Sequence, residues 1–328
     1  MKSQIFANPS KKTFQEVLMN LSTLPGQTGF YRGKVRDVHY IGTDWLVMVA
    51  SDRISAFDVI LPRPIPFKGQ ILNQIAAHML RATAEICPNW LSDVPAPNVS
   101  VGKRCQPFRI EMVVRGNLVG HAWRTYRSGE RTLCGARMPD GMKENDFFPE
   151  PILTPSTKAE AGHDEDITPD EIIARGLATR EEWDELSSLT LRLFRKGCEL
   201  AKARQLILAD TKYEFGLLDG RICLMDEIHT PDSSRYFLAE GFEERQARDE
   251  RQLQLSKEFV REWLISEGFM GKEGQVVPTM TDEWVETISG RYRELYERVI
   301  GEPFMPEPLS DEETLRRIVS SLEHLGAI

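Results

Sequence analysis

The order in which hydrophobic patterns follow one another constrains this chain most. Over the first hundred or so residues the apolar side chains fall mainly in short, strand-like runs. FYRGKVRDVHYIG (30–42) and DWLVMVASD (44–52) read as two strands turned at Gly42-Thr43-Asp44. Residues 45–50 are a continuous apolar run, as in a buried strand. FRIEMVVRG (108–116) reads as another strand. One helix interrupts them. In QILNQIAAHMLRATAEIC (70–87), Ile71, Leu72, Ile75, Ala76, Met79, Ala82 and Ile86 recur at threes and fours until Pro88. Over the last hundred and fifty residues helical periodicity dominates, at 179–203, 254–267, 282–299 and about 311–324. The final helix has Ser310 as N-cap and Glu313 three residues on, a capping-box pattern. A short helix is also expected over 13–21. Strands first and helices later predict an α+β fold. A β-rich N-terminal lobe (1–110) precedes a larger lobe (111–328), and a cleft between lobes is a common ligand site. Residues 134–170, rich in Pro, Gly and acids, are expected as a long functional loop without regular structure.

Charge excludes some partners. The chain has 328 residues and a formal net charge of −9, so no global basic field exists to hold nucleic acid or an anionic membrane. The longest apolar runs are too short to span a bilayer. MKSQIFANPSKK at the start lacks the apolar core of a secretory signal. The five cysteines are widely spaced, with no CxxC, which fits reduced thiols. A cytoplasmic protein is expected.

LADTKYEFGLLDGRICLMDEIHTPDSSR (208–235) reads as two strands joined at Asp219-Gly220. Asp210, Lys212 and Glu214 lie on the first strand, Asp226 and Glu227 at the end of the second. His229, Asp232 and Arg235 follow in a loop. Burying unpaired charge is costly. Lys212 and Glu214, two apart, share a face. With a two-residue turn, Leu218 faces Arg221 and Asp226 falls opposite Tyr213, on the wrong face. A three-residue loop or one bulge is therefore expected, placing Asp226 opposite Lys212 and diagonal to Glu214. Two carboxylates about 4 Å apart repel by roughly 4 kcal/mol at an effective dielectric near ~20. A divalent cation reverses the sign of that interaction. Mg²⁺ takes one or two protein carboxylates and completes its shell with water and nucleotide phosphates. The pattern fits a Mg–nucleotide site beside Lys212, and equally a solvated hairpin with cross-strand ion pairs.

Other segments carry softer signals. In YRGKVRD (31–37), Gly33 permits close backbone approach and Lys34 supplies a point charge for phosphate, or the segment is a simple turn. SDRISAFD (51–58) follows a buried strand, where Ser55 and Asp58 can meet a substrate or simply form turns. In VVRGNLVGHAWRTY, Arg115 can grip phosphate through two parallel bonds, and His121 alone is more often a structural hydrogen-bonder. Lys158, His163, Asp164 and Asp166 sit in the long loop, a run that usually marks a solvated surface. The chain lacks GxxxxGK[ST], GxGxxG and HExxH.

In this order YRGKVRD, SDRISAFD, KGQILNQ, EMVVRG, KAEAGHDED, LILADTKYEFG and DEIHTPDSSR resemble the SAICAR synthetase family, the phosphoribosylaminoimidazole-succinocarboxamide synthases. The resemblance covers about residues 30–240, and QLSKEFVREWL is similar to the longer bacterial members. It implies a two-lobed fold, with a β-rich N-terminal lobe, a larger α/β C-terminal lobe and an ATP cleft between. It implies a monofunctional, cytoplasmic ligase of purine biosynthesis, monomeric or a small homo-oligomer. Its substrates would be carboxyaminoimidazole ribonucleotide and L-aspartate, its cofactors ATP and Mg²⁺. Carried over by position, Gly33, Lys34 and Val35 would lie over the ATP phosphates. Glu111 and Met112 would lie near the adenine, and Lys158 would reach the nucleotide. Glu214 and Asp226 would hold Mg²⁺ beside Lys212, with Asp164 in the metal region. Arg115, Ser234 and Arg235 would grip the ribonucleotide phosphate, and Ser55 and Asp58 would face the imidazole. Many members carry Ser where this chain has His121. A protonated imidazole could donate to the substrate phosphate there, so that affinity falls as pH rises past about 6.5. Alternatively, its bulk reshapes the pocket. A kinase-like small-molecule phosphotransferase and a nucleotide-binding regulator remain as other readings.

Overall fold

Two antiparallel sheets carry the site, one built from residues 27–103 and the other from residues 106–238. The computed structural model describes residues 23–158 and 164–328. The helix expected at 13–21, and His163, lie outside them.

The first sheet starts with three adjacent strands, β1 (Gln27–Arg32), β2 (Arg36–Ile41) and β3 (Trp45–Ala50). A small hairpin, β4 (Ser55–Ala56) and β5 (Val59–Ile60), leads to α1 (Lys68–Ala82). Then β6 (Leu91–Ala96) and β7 (Val99–Lys103) return to the sheet, giving the order β1-β2-β3-β7-β6. Alternation along β2 and β3 buries Ile41, Val47 and Val49 on one face. Asp52 holds the start of α1 by accepting from the N–H groups of Phe67 and Gly69.

β8 (Gln106–Asn117) follows β7 directly and opens the second sheet, so residue 110 lies inside a strand. After it come α2 (Gly120–Arg127), β9 (Thr132–Leu133), β10 (Ala136–Arg137), β11 (Phe147–Leu153), β12 (Ser156–Thr157), α3 (Pro169–Ala174) and α4 (Arg180–Lys202). The stretch 134–170 therefore contains strands, contrary to the expectation of a structureless loop. β11 pairs with β8 at Phe147, Ile152 and Leu153, and the register shifts across the interval holding Pro149 and Pro151, which cannot donate to a ladder. The sheet is completed by β13 (Leu206–Leu218), β14 (Arg221–Met225) and β15 (Ser234–Leu238) in the order β11-β8-β13-β14, with β12 on β8 and β15 on β13. Leu186, Leu193 and Phe194 of α4 join the core beneath β13 and β8.

The helical tail is α5 (Phe242–Ala247), α6 (Glu258–Ser266), α7 (Asp282–Ile300) and α8 (Asp311–His324). α6 starts later than its periodicity suggests, because Leu253 and Gln254 pair with β15 instead. Ser310 caps α8 by accepting from the Glu313 N–H at 3.1 Å. The reciprocal half of a capping box is missing, since the Glu313 carboxylate binds Arg316 and Arg317. α8 packs on the first sheet, where Ile318 and Leu322 meet Val47, Val49 and Val99. Both ends of the described chain thus stabilise the N-terminal sheet. No helix among the described residues is long and apolar enough to cross a membrane.

Candidate active site

Strand period decides which side chains enter the cleft. β13 pairs with β8 so that Asp210 lies opposite Arg115, Lys212 opposite Val113 and Glu214 opposite Glu111. These six project from one face, while Met112, Val114 and Tyr213 point into the core. That face forms the floor of a cleft of about 1120 Å³, large for a small-molecule site. The walls come from the 33–36 turn, Ser55–Asp58, the 226–233 loop, the start of β15, where Arg235 lies in a strand and not in the expected loop, and α6.

Glu111 and Glu214, opposite one another, are held by lysines. Lys212 Nζ bonds Glu111 and lies 3.5 Å from Glu214, and Lys158 bonds the other Glu214 oxygen. Burial disfavours charge on Lys212, but the two glutamates outweigh it and keep the ammonium protonated. Burial is likewise overcome at Lys158 by Glu214 and Asp226.

Asp226 reaches the same cleft without the expected bulge. The β13–β14 hairpin has a two-residue turn, Asp219 (φ 51°) and Gly220 (φ 75°), and Leu218 pairs with Arg221 in unbroken register. Both turn residues at positive φ give the twist that suits a tight hairpin. Asp226 lies just past β14 with φ 55°, and this left-handed residue turns the chain out of the ladder. Its carbonyl accepts from Trp90 Nε1 at 2.9 Å. The side chain, which continued pairing would aim at the core, lines the cleft.

The far end is basic and tightly braced. Asp210 accepts from Arg115 at 2.8 Å and Arg235 at 2.5 Å. Glu258 accepts from Arg235 at 2.8 Å and Arg261 at 2.9 Å. Burial pushes the Glu258 carboxyl up, but Arg235 and Arg261 prevail and hold it at about 2. Ser234 Oγ lies 2.7 Å from Thr211 Oγ1. Deeper, Asp232 accepts from fully buried Lys68 at 2.9 Å and from Tyr292 Oη at 2.5 Å, with Lys257 Nζ at 3.5 Å. Burial lowers the Lys257 pKa to about 8 despite Asp232. Burial also keeps His229 neutral, at about 3, beside Tyr213 Oη at 2.6 Å.

Gly33, Lys34, Val35, Ser55, Asp58, Glu111, Arg115, Lys158, Asp164, Lys212, Glu214, Asp226, Ser234 and Arg235 all line this one cleft. Two expected residues do not. Met112 is 1% exposed and packs in the core, because its neighbour Glu111 takes the cleft face. His121 lines an adjoining pocket of about 340 Å³ with Arg115, Thr154, Ser156, Asp164 and Asp166, its Nε2 2.7 Å from Asp166. Among the described residues no group of three or more His, Cys, Asp or Glu side chains is gathered for a metal. Glu214 and Asp226 suit Mg²⁺ all the same, since that ion needs only one or two carboxylates when phosphates supply the rest.

A family model described as SAICAR synthetase matches residues 29–276. The chain belongs to this family. A phosphoribosylaminoimidazole-succinocarboxamide synthase of Cytophaga hutchinsonii is 61% identical over 301 residues, 91% of this chain and 97% of that protein. One from Bacteroides fragilis is 62% identical over 288 residues, covering 88% and 92%. Among solved structures, the Saccharomyces cerevisiae SAICAR synthase complexed with SAICAR superposes with a TM-score of 0.73 at 30% identity, over 85% of this chain and 96% of that one. A SAICAR synthetase in complex with ADP shares the fold, with a TM-score of 0.66 at 23% identity over 85% and 100%.

For a SAICAR synthetase cleft, the sequence motifs understated the supporting charges. Arg36, Arg53, Asp210, Asp232, Lys257, Glu258 and Arg261 all bind residues of the cleft wall or belong to it. The signal for α6 was present in KEFVR, whose Lys257 and Arg261 are four apart on one helical face.

Proposed function

We propose that this cleft carries out the family's ligation. The carboxylate of carboxyaminoimidazole ribonucleotide is joined to the amine of L-aspartate at the expense of ATP, giving SAICAR, ADP and phosphate in purine biosynthesis. The observation that carries this reading is one continuous face. On it a carboxylate–lysine cluster (Glu111, Glu214, Lys158, Lys212) adjoins an arginine-rich end (Arg115, Arg235). The first suits a nucleotide's phosphates, the second a ribonucleotide phosphate.

The chemistry follows from a poor electrophile. A carboxylate oxygen takes the terminal phosphoryl group of ATP, and ADP leaves. The aspartate nitrogen then attacks the acyl carbon, the carbon–oxygen bond to phosphate breaks, and the nitrogen loses a proton. Lys158 and Lys212 are the cations placed to neutralise the phosphoryl oxygens as charge redistributes. Gly33 and Lys34 cover the phosphates. Glu214 and Asp226 would hold Mg²⁺, with Asp164 nearby, and the ion would offset phosphate charge when bound. The adenine is better suited to the apolar corner formed by Val35, Val38, Leu46, Met48 and Met225 than to Glu111 and Met112. Arg115, Ser234 and Arg235 grip the ribonucleotide phosphate, with His121 at its margin. Ser55 and Asp58 face the imidazole. A cytoplasmic enzyme acting on small molecules fits all of this.

One assay tests it. ATP, Mg²⁺ and carboxyaminoimidazole ribonucleotide are mixed with a panel of amino acids and ADP is followed. ADP release that depends on L-aspartate is expected. Equal ADP release without any amino acid would favour a simple phosphotransferase instead.

A further inference from the structure

We propose that Arg53 is a positioning residue for the nucleotide phosphates, acting through the 33–36 turn rather than by touching the ligand. The proposal rests on reading that turn as the phosphate loop. Four successive carbonyls of the turn are tied down. Arg53 Nη2 donates to Gly33 O at 3.1 Å and Arg53 Nε to Lys34 O at 3.3 Å. Ser51 donates to Val35 O through its N–H at 2.9 Å and its Oγ at 2.6 Å. The Gly33 N–H donates to Arg36 O at 2.8 Å.

A trans peptide is planar, and its C=O and following N–H point in opposite directions. Drawing the carbonyls of Gly33 and Lys34 towards Arg53 therefore turns the N–H groups of Lys34 and Val35 the other way. Successive N–H groups aimed to one side make an anion-binding concavity. Residues 33–36 all line the cleft, so the ligand side is the side away from Arg53. A Cβ at position 33 would lie 2.6 Å from Arg36 O, so the turn closes this tightly only with glycine.

Charge supports a geometric role. Asp37 accepts both ends of the Arg53 fork, at 2.6 and 3.2 Å, and both side chains are largely buried. The pair is close to neutral as a unit, so it adds little attraction for phosphate. It fixes where Arg53 sits, and Arg53 fixes the carbonyls. The preceding residues of the same segment serve the same junction, Asp52 on α1 and Ser51 on Val35.

The test compares Arg53→Met, Arg53→Lys and Lys34→Met in steady-state kinetics with each of the three substrates varied, together with Tm. Arg53→Met is expected to raise KM for ATP at least about tenfold and to leave the other two KM values within about twofold. Arg53→Lys keeps the charge but not the fork, and should recover Tm without recovering KM for ATP. Added guanidinium ion at low millimolar concentration should partly restore Arg53→Met. If Lys34→Met raises KM for ATP and Arg53→Met does not, the positioning role is wrong and the loop reading stands. If neither does, the loop reading itself fails. Parallel rises in all three KM values with a matching fall in Tm would make Arg53 merely structural. Should neither Arg53 variant fold, Ser51→Ala removes one bond to Val35 O and should raise KM for ATP about threefold; an unchanged value overturns the proposal.

Discussion

Arg36 and Glu227 clasp each other behind the cleft wall, where both side chains are largely buried. The guanidinium donates from Nη1 to Oε1 at 2.7 Å and from Nη2 to Oε2 at 2.5 Å, joining the start of β2 to the residue beside Asp226. Thr230 Oγ1 donates to the same carboxylate at 2.5 Å. The 33–36 turn and the loop that carries Asp226 are thereby held in one frame. Arg36→Lys keeps the charge and loses the fork. Displacement of reacting groups by about 1 Å can cost ~100-fold. Steady-state kinetics should show kcat reduced about tenfold or more; an unchanged kcat would mean the clasp does not set the geometry of Asp226.

Glu214 and Asp226 are the two carboxylates proposed to hold the metal. Glu214→Gln and Asp226→Asn preserve shape and remove charge. Each should lower turnover at least about a hundredfold, roughly 2.7 kcal/mol of lost stabilisation. Raising Mg²⁺ should recover part of the loss if the ion binds there. Near-normal turnover in both variants would refute the metal assignment.

His121 sits 2.7 Å from Asp166 in the pocket that adjoins Arg115. If its ring contributes a hydrogen bond to the ribonucleotide, His121→Ala should raise KM for that substrate about threefold or more and leave KM for ATP within about twofold. An unchanged KM for the ribonucleotide would end the idea.

Asp232 stands between two buried ammonium groups, Lys68 and Lys257, with Tyr292 as a third partner. Asp232→Asn leaves both cations uncompensated, and removing one member of a buried pair typically costs about 3–5 kcal/mol. Lys68→Met leaves Asp232 still facing Lys257, so its cost should be smaller. Urea unfolding of both variants checks the order; an inverted order would show that Lys257 does not compensate.

Glu258 is held at about 2 against an ordinary 4.5. A depressed carboxylate stabilises the fold above its ordinary pKa and loses that contribution as pH falls towards the folded value. The shift corresponds to roughly 3 kcal/mol at most. Wild type should therefore lose stability between about pH 4.5 and 2 more steeply than Glu258→Gln. Parallel stability curves over that window would remove Glu258 from the arginine brace.

Much of the site was legible because charge in an apolar strand is conspicuous. Lys212 and Glu214 announce a shared face by spacing alone, and β8 displays Glu111 and Arg115 by the same period. The position of Asp226 was not legible from register. A three-residue loop or one bulge was expected, and the chain instead keeps a two-residue turn and uses one left-handed residue, which alternation does not encode. The Met112 side chain lies in the core and not in the cleft, since a neighbour of a cleft residue on a strand points the other way. The Pro-rich stretch after residue 134 looked structureless because its pairing with β8 is broken by Pro149 and Pro151 and has no local periodicity.

The sequence by itself determined β3, β8, the β13–β14 hairpin, the longer helices, Ser310 as an N-cap and the mixture of cations and acids that a phosphate-handling cleft needs; the segment 30–42, read as one strand, is split at Gly33 into β1 and β2. These are local properties, set by spacing and side-chain chemistry. Only the tertiary structure decided which charges neutralise which. Arg36 finds Glu227 across 191 positions, Lys68 finds Asp232 across 164, and the last helix closes the first sheet. Such pairs are set by the packing of sheets and helices, and no short window of sequence contains both partners.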